Sequence, residues 1–310
     1  MELICIVGPT AVGKTKLSIE IAKSLGGEII NGDAMQIYRG LNIGTAKITK
    51  EEAKGVAHHL IDEKAPHETY SVADFQKAVR AKIVDIQNRG KLPIIVGGTG
   101  LYIKSVLYDY DFGEHVLKDT SNDDDITNEA LHVRLMEVDP EEAKNLHPNN
   151  RRRVIRALEI FEASGVKKSV AVAKQEHKLL YDVALIGLTD EREVLYERIN
   201  GRVDAMLEAG LIDEVKALYD AGIPRSAQSA QAIGYKELYD HLDGNISLDE
   251  ARALIKRNSR RLAKRQYTWF CNQMDVTWFD VNIDDFGQTI AEVLKWLDEV
   301  LDNSSHQGNL

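Results

Sequence analysis

The chain has 310 residues, of which 44% are hydrophobic, enough for one large packed domain or a core with a smaller satellite. No apolar run approaches the roughly eighteen residues of a membrane span, and the N-terminus carries no signal-peptide pattern, so a cytoplasmic protein with no membrane partner is expected. A net charge of −10 argues against bulk electrostatic binding of nucleic acid, although local basic patches escape that argument.

In chain order, ELICIV is a buried-strand run, and residues 14–25 put Leu17, Ile21 and Leu25 on one helical face before Gly26 and Gly27 stop the helix. EII (28–30) predicts a short second strand. Ser71 caps a helix in which Val72, Phe75, Val79 and Ile83 recur at helical spacing up to Gly90, and LPIIVGG (92–98) is a third apolar strand. This alternation predicts an α/β fold, a parallel sheet covered by helices on both faces. After Tyr108 the stretch DYDFGEHVLKDTSNDDDITNEA is polar and acidic and reads as an exposed insertion; helical periodicity resumes near Leu131, and YDVALIGLT (181–189) is one more core strand. The expected organisation is a core of residues 1–111 and 179–302, an inserted helical domain over about residues 112–178, and a disordered tail over 303–310. Thr189 reads as the cap of a long amphipathic helix to Ala209, a second helix runs to Ala221, and Ser247 with Glu250 forms a capping box for another. VTWFD and an amphipathic C-terminal helix close the pattern. Cys5 and Cys271, far apart in apolar surroundings, are expected to be buried free thiols, which removes a zinc-finger reading.

Residues 8–15 read GPTAVGKT, a G-x-x-x-x-G-K-T phosphate loop between a strand and a helix. Gly8, Pro9, Thr10, Ala11, Val12 and Gly13 turn backbone N–H groups towards a phosphate; Lys14 adds charge, and the Thr15 hydroxyl is placed to hold Mg²⁺. A triphosphate hydrolase would also carry an acid at the end of a further apolar strand. The third strand ends instead in GGTGLY, and Asp190 is accounted for by helix-end electrostatics. Asp33, after the second strand, stands at the sheet edge where α/β ligands bind, and reads equally as a proton acceptor or as a turn aspartate after Gly32. GGTGLY offers the Thr99 hydroxyl at the same edge, or is a purely structural turn. Seven cations without an acid lie between Ala251 and Phe270 (Arg252, Lys256, Arg257, Arg260, Arg261, Lys264, Arg265), and RRRVIR adds four at 151–156. Each cluster is a phosphate-binding patch or a solvated helix face.

GPTAVGKT, the stretch D-x-x-Q-x-Y-R-G-x-x-I-G-T-A-K from Asp33 to Lys47, VGGTGLY, HPNNRRRVIRALEI, QAIGYKEL and RLAKRQYTWF stand in the order seen in bacterial tRNA dimethylallyltransferases (tRNA isopentenyltransferases), which the chain resembles over nearly its whole length. The resemblance implies a P-loop nucleoside-triphosphate-hydrolase-like core. It also implies transfer of a dimethylallyl group from dimethylallyl diphosphate to N6 of the adenosine on the 3′ side of a tRNA anticodon. Asp33 would then be the general base and Thr99 a contact to the reacting adenosine; the phosphate loop, with Mg²⁺ at Thr15 and Arg225 reaching in, would hold the diphosphate. By the same resemblance Asp33, Ala34, Met35, Gln36, Thr99, Arg152, Arg153, Val154, Ile155, Arg156, Gln231, Ala232, Ile233, Gly234, Tyr235 and Lys236 would touch the anticodon stem-loop. Ala34 replaces the serine common in the family, so one pocket hydroxyl is absent. The competing readings are a P-loop kinase using Asp33 as base, a prenyltransferase acting on free AMP, ADP or ATP, and an RNA-binding module with a relict loop. With no leftover apolar seam, a monomer is expected.

Overall fold

The computed structural model describes residues 1–110, 126–173 and 178–307. In chain order the elements are β1 (Leu3–Val7), α1 (Lys14–Leu25), β2 (Gly27–Asn31), α2 (Lys50–Ala53), β3 (His58–His59), α3 (Val72–Asn88), β4 (Leu92–Val96), α4 (Gly100–Leu107), α5 (Asn128–Val138), α6 (Pro140–Asn145), α7 (Arg151–Ser164), α8 (Lys168–Ala173), β5 (Val183–Thr189), α9 (Arg192–Glu208), α10 (Leu211–Asp220), a 3₁₀ turn at Ser229–Gln231, α11 (Tyr235–Leu242), α12 (Leu248–Gln273), β6 (Thr277–Asp280) and α13 (Phe286–Gln307). The chain divides into two compact units, one of residues 1–107 with 181–310 and one of residues 108–180. No helix among the described residues is long and apolar enough to cross a membrane.

In the larger unit the strands form one parallel sheet in the order β3-β2-β4-β1-β5-β6. β1 lies between β4 and β5, so helices leave it towards both sides of the sheet; Leu3, Ile4, Cys5, Ile6 and Val7 are each 0% exposed, which explains the unbroken apolar run. The chain reverses its winding direction at the C-terminal end of β1, a topological switch point where α/β sheets open a ligand crevice. Leu17 and Ile21 of α1 pack on Ile4, Ile6, Ile29 and Ile94, and truncating one of these isoleucines to alanine would cost about 2–5 kcal/mol. The expected Ser71 cap and the Ser247 capping box both form: the Ser71 hydroxyl accepts from Asp74 N–H at 3.1 Å and the Ser247 hydroxyl from Glu250 N–H at 3.2 Å.

Four expectations need correction or extension. Thr189 does not cap α9: it is the last residue of β5, paired with Asp280 and accepting Val281 N–H at 2.9 Å, and Glu191 precedes the helix instead. Cys5 is buried but Cys271 is exposed, because α12 turns that position outward; both are free thiols. α13 is helical through Gln307, where a disordered tail was expected from 303. β3, α4 and α11 have no counterpart in the sequence reading, β3 because two residues carry no period and the others because glycines open them. Most of the acidic stretch, SNDDD included, lies outside the described residues.

The smaller unit has its own core of Leu131, Leu135, Ala143, Leu146, Val154, Ala157 and Leu158. Asp139, 1% exposed, caps α6 through Glu142 N–H and ties down α8 by accepting Ser169 N–H at 2.9 Å and its hydroxyl at 2.6 Å. These bonds hold its carboxyl below the usual range against the opposing effect of burial.

Candidate active site

Two cavities open at the C-terminal edge of the sheet. The larger, about 880 Å³, is lined by Thr10, Ala11, Gly13, Lys14 and Thr15 of the phosphate loop, by Asp33 and Gln36, and by Arg198 and Arg202 of α9. The smaller, about 130 Å³, is lined by Met35, Gly44, Ala232, Ile233 and Gly234 and by the apolar side chains of Val203, Met206, Leu211 and Ile255. Thr10, Asp33, Thr45, Arg202 and Leu262 line both, so these residues stand where the two spaces meet.

The phosphate loop has the backbone its sequence demands. Gly13, at φ 108°, is in the left-handed region and lies so close to Phe286 that a Cβ would stand 2.6 Å from the ring. Gly8, Pro9 and Val12 are buried beneath the loop and do not line the cavity. The Lys14 ammonium donates to the carbonyls of Gly8 at 3.0 Å and Pro9 at 2.7 Å. Burial first, then repulsion from Arg202, lowers its pKa from 10.5 to about 7, against the attraction of Asp33. Arg202 is likewise pushed down by burial and by Arg198, with Asp33 acting in the opposite sense. Three cations crowded into a shielded pocket, two of them disfavoured as charged groups, form a site that an oligoanion would relieve.

Asp33 is fixed from both sides. Its N–H donates to Asn31 Oδ1 at 2.9 Å, and its Oδ1 accepts Met35 N–H at 2.8 Å, an Asx turn that leaves Oδ2 for the cavity. Asn31 is held in turn by its amide donating to the carbonyls of Asp33 and Leu60. Thr99 stands beside this turn: its hydroxyl accepts Ala34 N–H at 3.2 Å, and it lines neither cavity. The glycines of GGTG serve backbone packing rather than ligand approach alone. A Cβ on Gly97 would meet Gly32 O at 2.1 Å, and one on Gly98 would meet the Gln266 amide at 2.3 Å. Gln266 links the two loops, accepting Thr10 N–H at 2.9 Å and donating to Gly98 O at 3.1 Å.

The remaining expected residues divide. Ala34 is buried, while Gln36 lines the larger cavity and donates to Thr45 O at 3.1 Å. Tyr235 is 0% exposed, with its ring against Gly44 and its hydroxyl donating to Glu214 at 2.5 Å, so it supports the wall rather than meeting a ligand. Gln231 and Lys236 line neither cavity; the Gln231 amide donates to Arg225 O, and the Lys236 ammonium lies 3.8 Å from Glu237. Arg225 is not brought to the site: it pairs with Asp240 at 2.7 Å and with Asp243, and lines neither cavity. In the smaller unit Val154 is fully buried, Arg156 pairs with Glu159 at 3.3 Å, Ile155 is half-buried, and Arg152 and Arg153 are exposed.

Sequence reasoning missed Arg198 and Arg202. They lie one turn apart on the helix that follows β5, a spacing that puts both on one face at the same sheet edge. Asp190, assigned above to helix-end electrostatics, accepts from Arg198 at 3.3 Å and so orients one of the pair. Glu214 was missed as well. Its carboxylate gathers the N–H groups of Asn42 and Ile43 at 2.8 Å and Gly44 at 3.0 Å, fixing the loop that walls both cavities. Thr15, at the start of α1, offers a hydroxyl to the larger cavity, and no cluster of three or more His, Cys, Asp or Glu side chains that could hold a metal occurs among the described residues. That donor set fits Mg²⁺ held mainly by phosphate oxygens, with Thr15 as the protein ligand.

The sequence model of the IPP transferase family matches residues 36–273. A tRNA dimethylallyltransferase of Bacillus anthracis is 56% identical over 311 residues, covering 98% of each chain. The solved tRNA isopentenylpyrophosphate transferase of Bacillus halodurans superposes with a TM-score of 0.76 at 50% identity over 99% of both chains. A eukaryotic dimethylallyltransferase solved while acting on tRNA superposes with a TM-score of 0.84 at 31% identity, over 97% of this chain and 79% of its own. Likeness of this extent, running through the phosphate loop as well as the matched segment, makes the chain a member of the IPP transferase family.

Proposed function

We propose that the chain transfers a dimethylallyl group from dimethylallyl diphosphate to N6 of the adenosine 3′-adjacent to the anticodon in tRNA. The observation that carries this reading is the shared wall: Asp33, Thr10 and Arg202 line both cavities, so a donor in one and an acceptor in the other meet at a carboxylate and a cation. The larger cavity takes the donor, its diphosphate on the N–H groups of the loop and on Lys14, Arg198 and Arg202. The smaller, largely apolar cavity takes the adenine, pulled from the loop stack as base-modifying enzymes require.

In the reaction the N6 lone pair forms a bond to C1 of the donor as the C1–O bond breaks, its electron pair leaving on diphosphate. The N6 proton passes to Asp33 Oδ2, the oxygen not engaged by Met35 N–H. Lys14 and Arg202 neutralise the charge growing on the leaving oxygen, and a half-buried cation is worth more there than in water. Thr15 would hold Mg²⁺, which would supply further neutralisation of the diphosphate there. Thr99 acts through the Ala34 amide, holding the Asp33 turn in place. Arg152 and Arg153 are the members of the RRRVIR cluster whose exposure suits RNA contact. A role in tRNA modification supports a cytoplasmic location, and the phosphate loop, Asp33 and both arginines of α9 meeting within one chain support a monomer.

Two variants test the division of the cavities. Asp33→Asn is expected to lower single-turnover transfer by at least 10²-fold with little change in diphosphate affinity. Ile233→Trp, filling the smaller cavity, should block RNA prenylation while inorganic diphosphate still binds. Loss of diphosphate binding in the second variant would place both substrates in one space and refute the assignment.

A further inference from the structure

The smaller cavity has two irregular walls that come from distant parts of the chain. One supplies Asp33, Met35, Gly44 and Thr45 from the segment after β2, the other Ala232, Ile233 and Gly234 from the turn before α11. Neither wall belongs to a strand or helix, so side chains beyond the cavity must fix their separation. Past Gly234 the fastening is Tyr235 with Glu214, which reaches back to residues 42–44. Ahead of Ala232 it is Gln228. Its Oε1 accepts the Tyr38 hydroxyl at 3.0 Å and the Tyr70 N–H at 3.4 Å. Tyr38 is 0% exposed, as is Ser229 next to Gln228, and the Ser229 hydroxyl donates to Pro66 O at 2.6 Å. Residues 62–64 pair with 36–39 through Asp62 N–H to Gln36 O at 3.2 Å, Lys64 N–H to Ile37 O at 2.9 Å and Arg39 N–H to Lys64 O at 2.8 Å. The segments 36–39, 62–70 and 228–229 thus close a ring that leads into both walls.

We infer that Gln228 is a positioning residue for the acceptor base, setting the gap between the two walls through Tyr38 and the Ser229–Gln231 turn. In the function proposed above, on which this rests, the adenine occupies that gap. Gln228 itself lines neither cavity, so it acts on the walls and not on a ligand. An amide suits the task because one oxygen takes two donors, the hydroxyl of a buried tyrosine and a backbone N–H. An apolar side chain in its place would leave the Tyr38 hydroxyl buried without a partner, which drives residues 36–39 to rearrange. A binding constellation tolerates only about 0.5 Å of error before productive geometry is lost. Asp33, by contrast, is held by Asn31 and the Met35 N–H, and the phosphate loop by Gln266, and none of these bonds involves Gln228. Loss of Gln228 therefore falls on binding of the acceptor, while the general base and the donor site keep their arrangement.

The test is steady-state transfer from labelled dimethylallyl diphosphate to a synthetic anticodon stem-loop by Gln228→Leu, Gln228→Glu, Tyr38→Phe and the double variant Tyr38→Phe/Gln228→Leu. Inorganic diphosphate binding and thermal melting are measured on each. Gln228→Leu should raise KM for the stem-loop about tenfold, with kcat and diphosphate affinity within about twofold of the unmodified protein. Gln228→Glu, which keeps an acceptor oxygen, should bring KM back to within about threefold. Tyr38→Phe should raise KM in the same sense, and the double variant should exceed Gln228→Leu by less than about twofold, because both changes cut the same bond. Tyr38→Phe deletes a single oxygen and keeps the comparison should Gln228→Leu fail to fold. A residue that only supports the fold would lower the melting temperature and leave KM of the folded protein unmoved. That result overturns the role of Gln228, as does an equal loss of diphosphate affinity or full additivity in the double variant. No label on the stem-loop with the unmodified protein refutes instead the function on which the role rests.

Discussion

Glu214 is the residue whose loss the structure predicts most concretely. One carboxylate accepts the N–H groups of Asn42, Ile43 and Gly44 and the Tyr235 hydroxyl, so it ties α10, α11 and the 42–46 loop together. Glu214→Ala leaves all four donors without an acceptor. The Asn42 amide is exposed and recovers water, Ile43 and Gly44 are half-buried, and Tyr235 is fully buried. At about 1–3 kcal/mol for a buried unsatisfied donor, with the half-buried amides discounted, the loss comes to about 3 kcal/mol. Glu214→Gln keeps one carbonyl oxygen but turns an N–H₂ towards the remaining donors, so it should cost about 2 kcal/mol despite its matching shape. Urea unfolding measures both, and a cycle with Tyr235→Phe should return a coupling of about 1 kcal/mol or more. Because Gly44 and Thr45 wall the cavities, KM for RNA should rise in both variants while the affinity for inorganic diphosphate moves less. A loss under about 0.5 kcal/mol for Glu214→Ala, within the range of ordinary surface changes, would refute the account of this latch.

Other outcomes follow from the same geometry. Arg202→Gln should weaken binding of inorganic diphosphate by at least tenfold, whereas Arg225→Gln, which only releases Asp240 and Asp243, should not; binding assays on the two variants decide it. With its pKa lowered to about 7, Lys14 is half neutral at that pH in the ligand-free protein, and an anion favours its charged form. Diphosphate affinity should therefore fall as pH rises above about 7, approaching tenfold per pH unit, with proton uptake detectable by calorimetry in buffers of different ionisation enthalpy. For stability the sign is opposite: the folded value lies below the ordinary 10.5, so the folded chain binds fewer protons between about 7 and 10.5, and this group's contribution rises with pH across that window. Gln266→Ala removes the bridge from Thr10 to Gly98 and should lower the rate of transfer more than it lowers the melting temperature.

The legible parts of this molecule are those whose physics is local. GPTAVGKT declares its conformation because its left-handed turn needs Gly13 and its helix needs a free N-terminus. β1 declares its central position because both of its faces are buried. Asp33 was legible as a position but not as a role; what favours the base is Oδ2 left unengaged and Arg202 at the same wall, and both depend on residues far away in sequence. Arg198 and Arg202 carried a usable signal, two arginines one turn apart after a core strand, but nothing in α9 announces which way that face points. Arg225 misled for the converse reason: an arginine near the right motif is indistinguishable from a site residue until Asp240 and Asp243 are seen to hold it. Tyr235 and Val154 lie within segments expected to touch RNA, yet the period of their helices turns both inward. The basic run of α12 was visible as charge alone, and only Asp204 and Asn200 show that Arg252, Lys256 and Arg260 of that run are held within the fold.

The most direct test is transfer of radiolabelled dimethylallyl diphosphate, with Mg²⁺, to three acceptors in parallel: an anticodon stem-loop bearing the adenosine, the same loop with guanosine in its place, and free AMP. Label on the adenosine loop alone, abolished by Asp33→Ala, is the predicted result. Label on AMP, or label on the adenosine loop that survives Asp33→Ala, would contradict it.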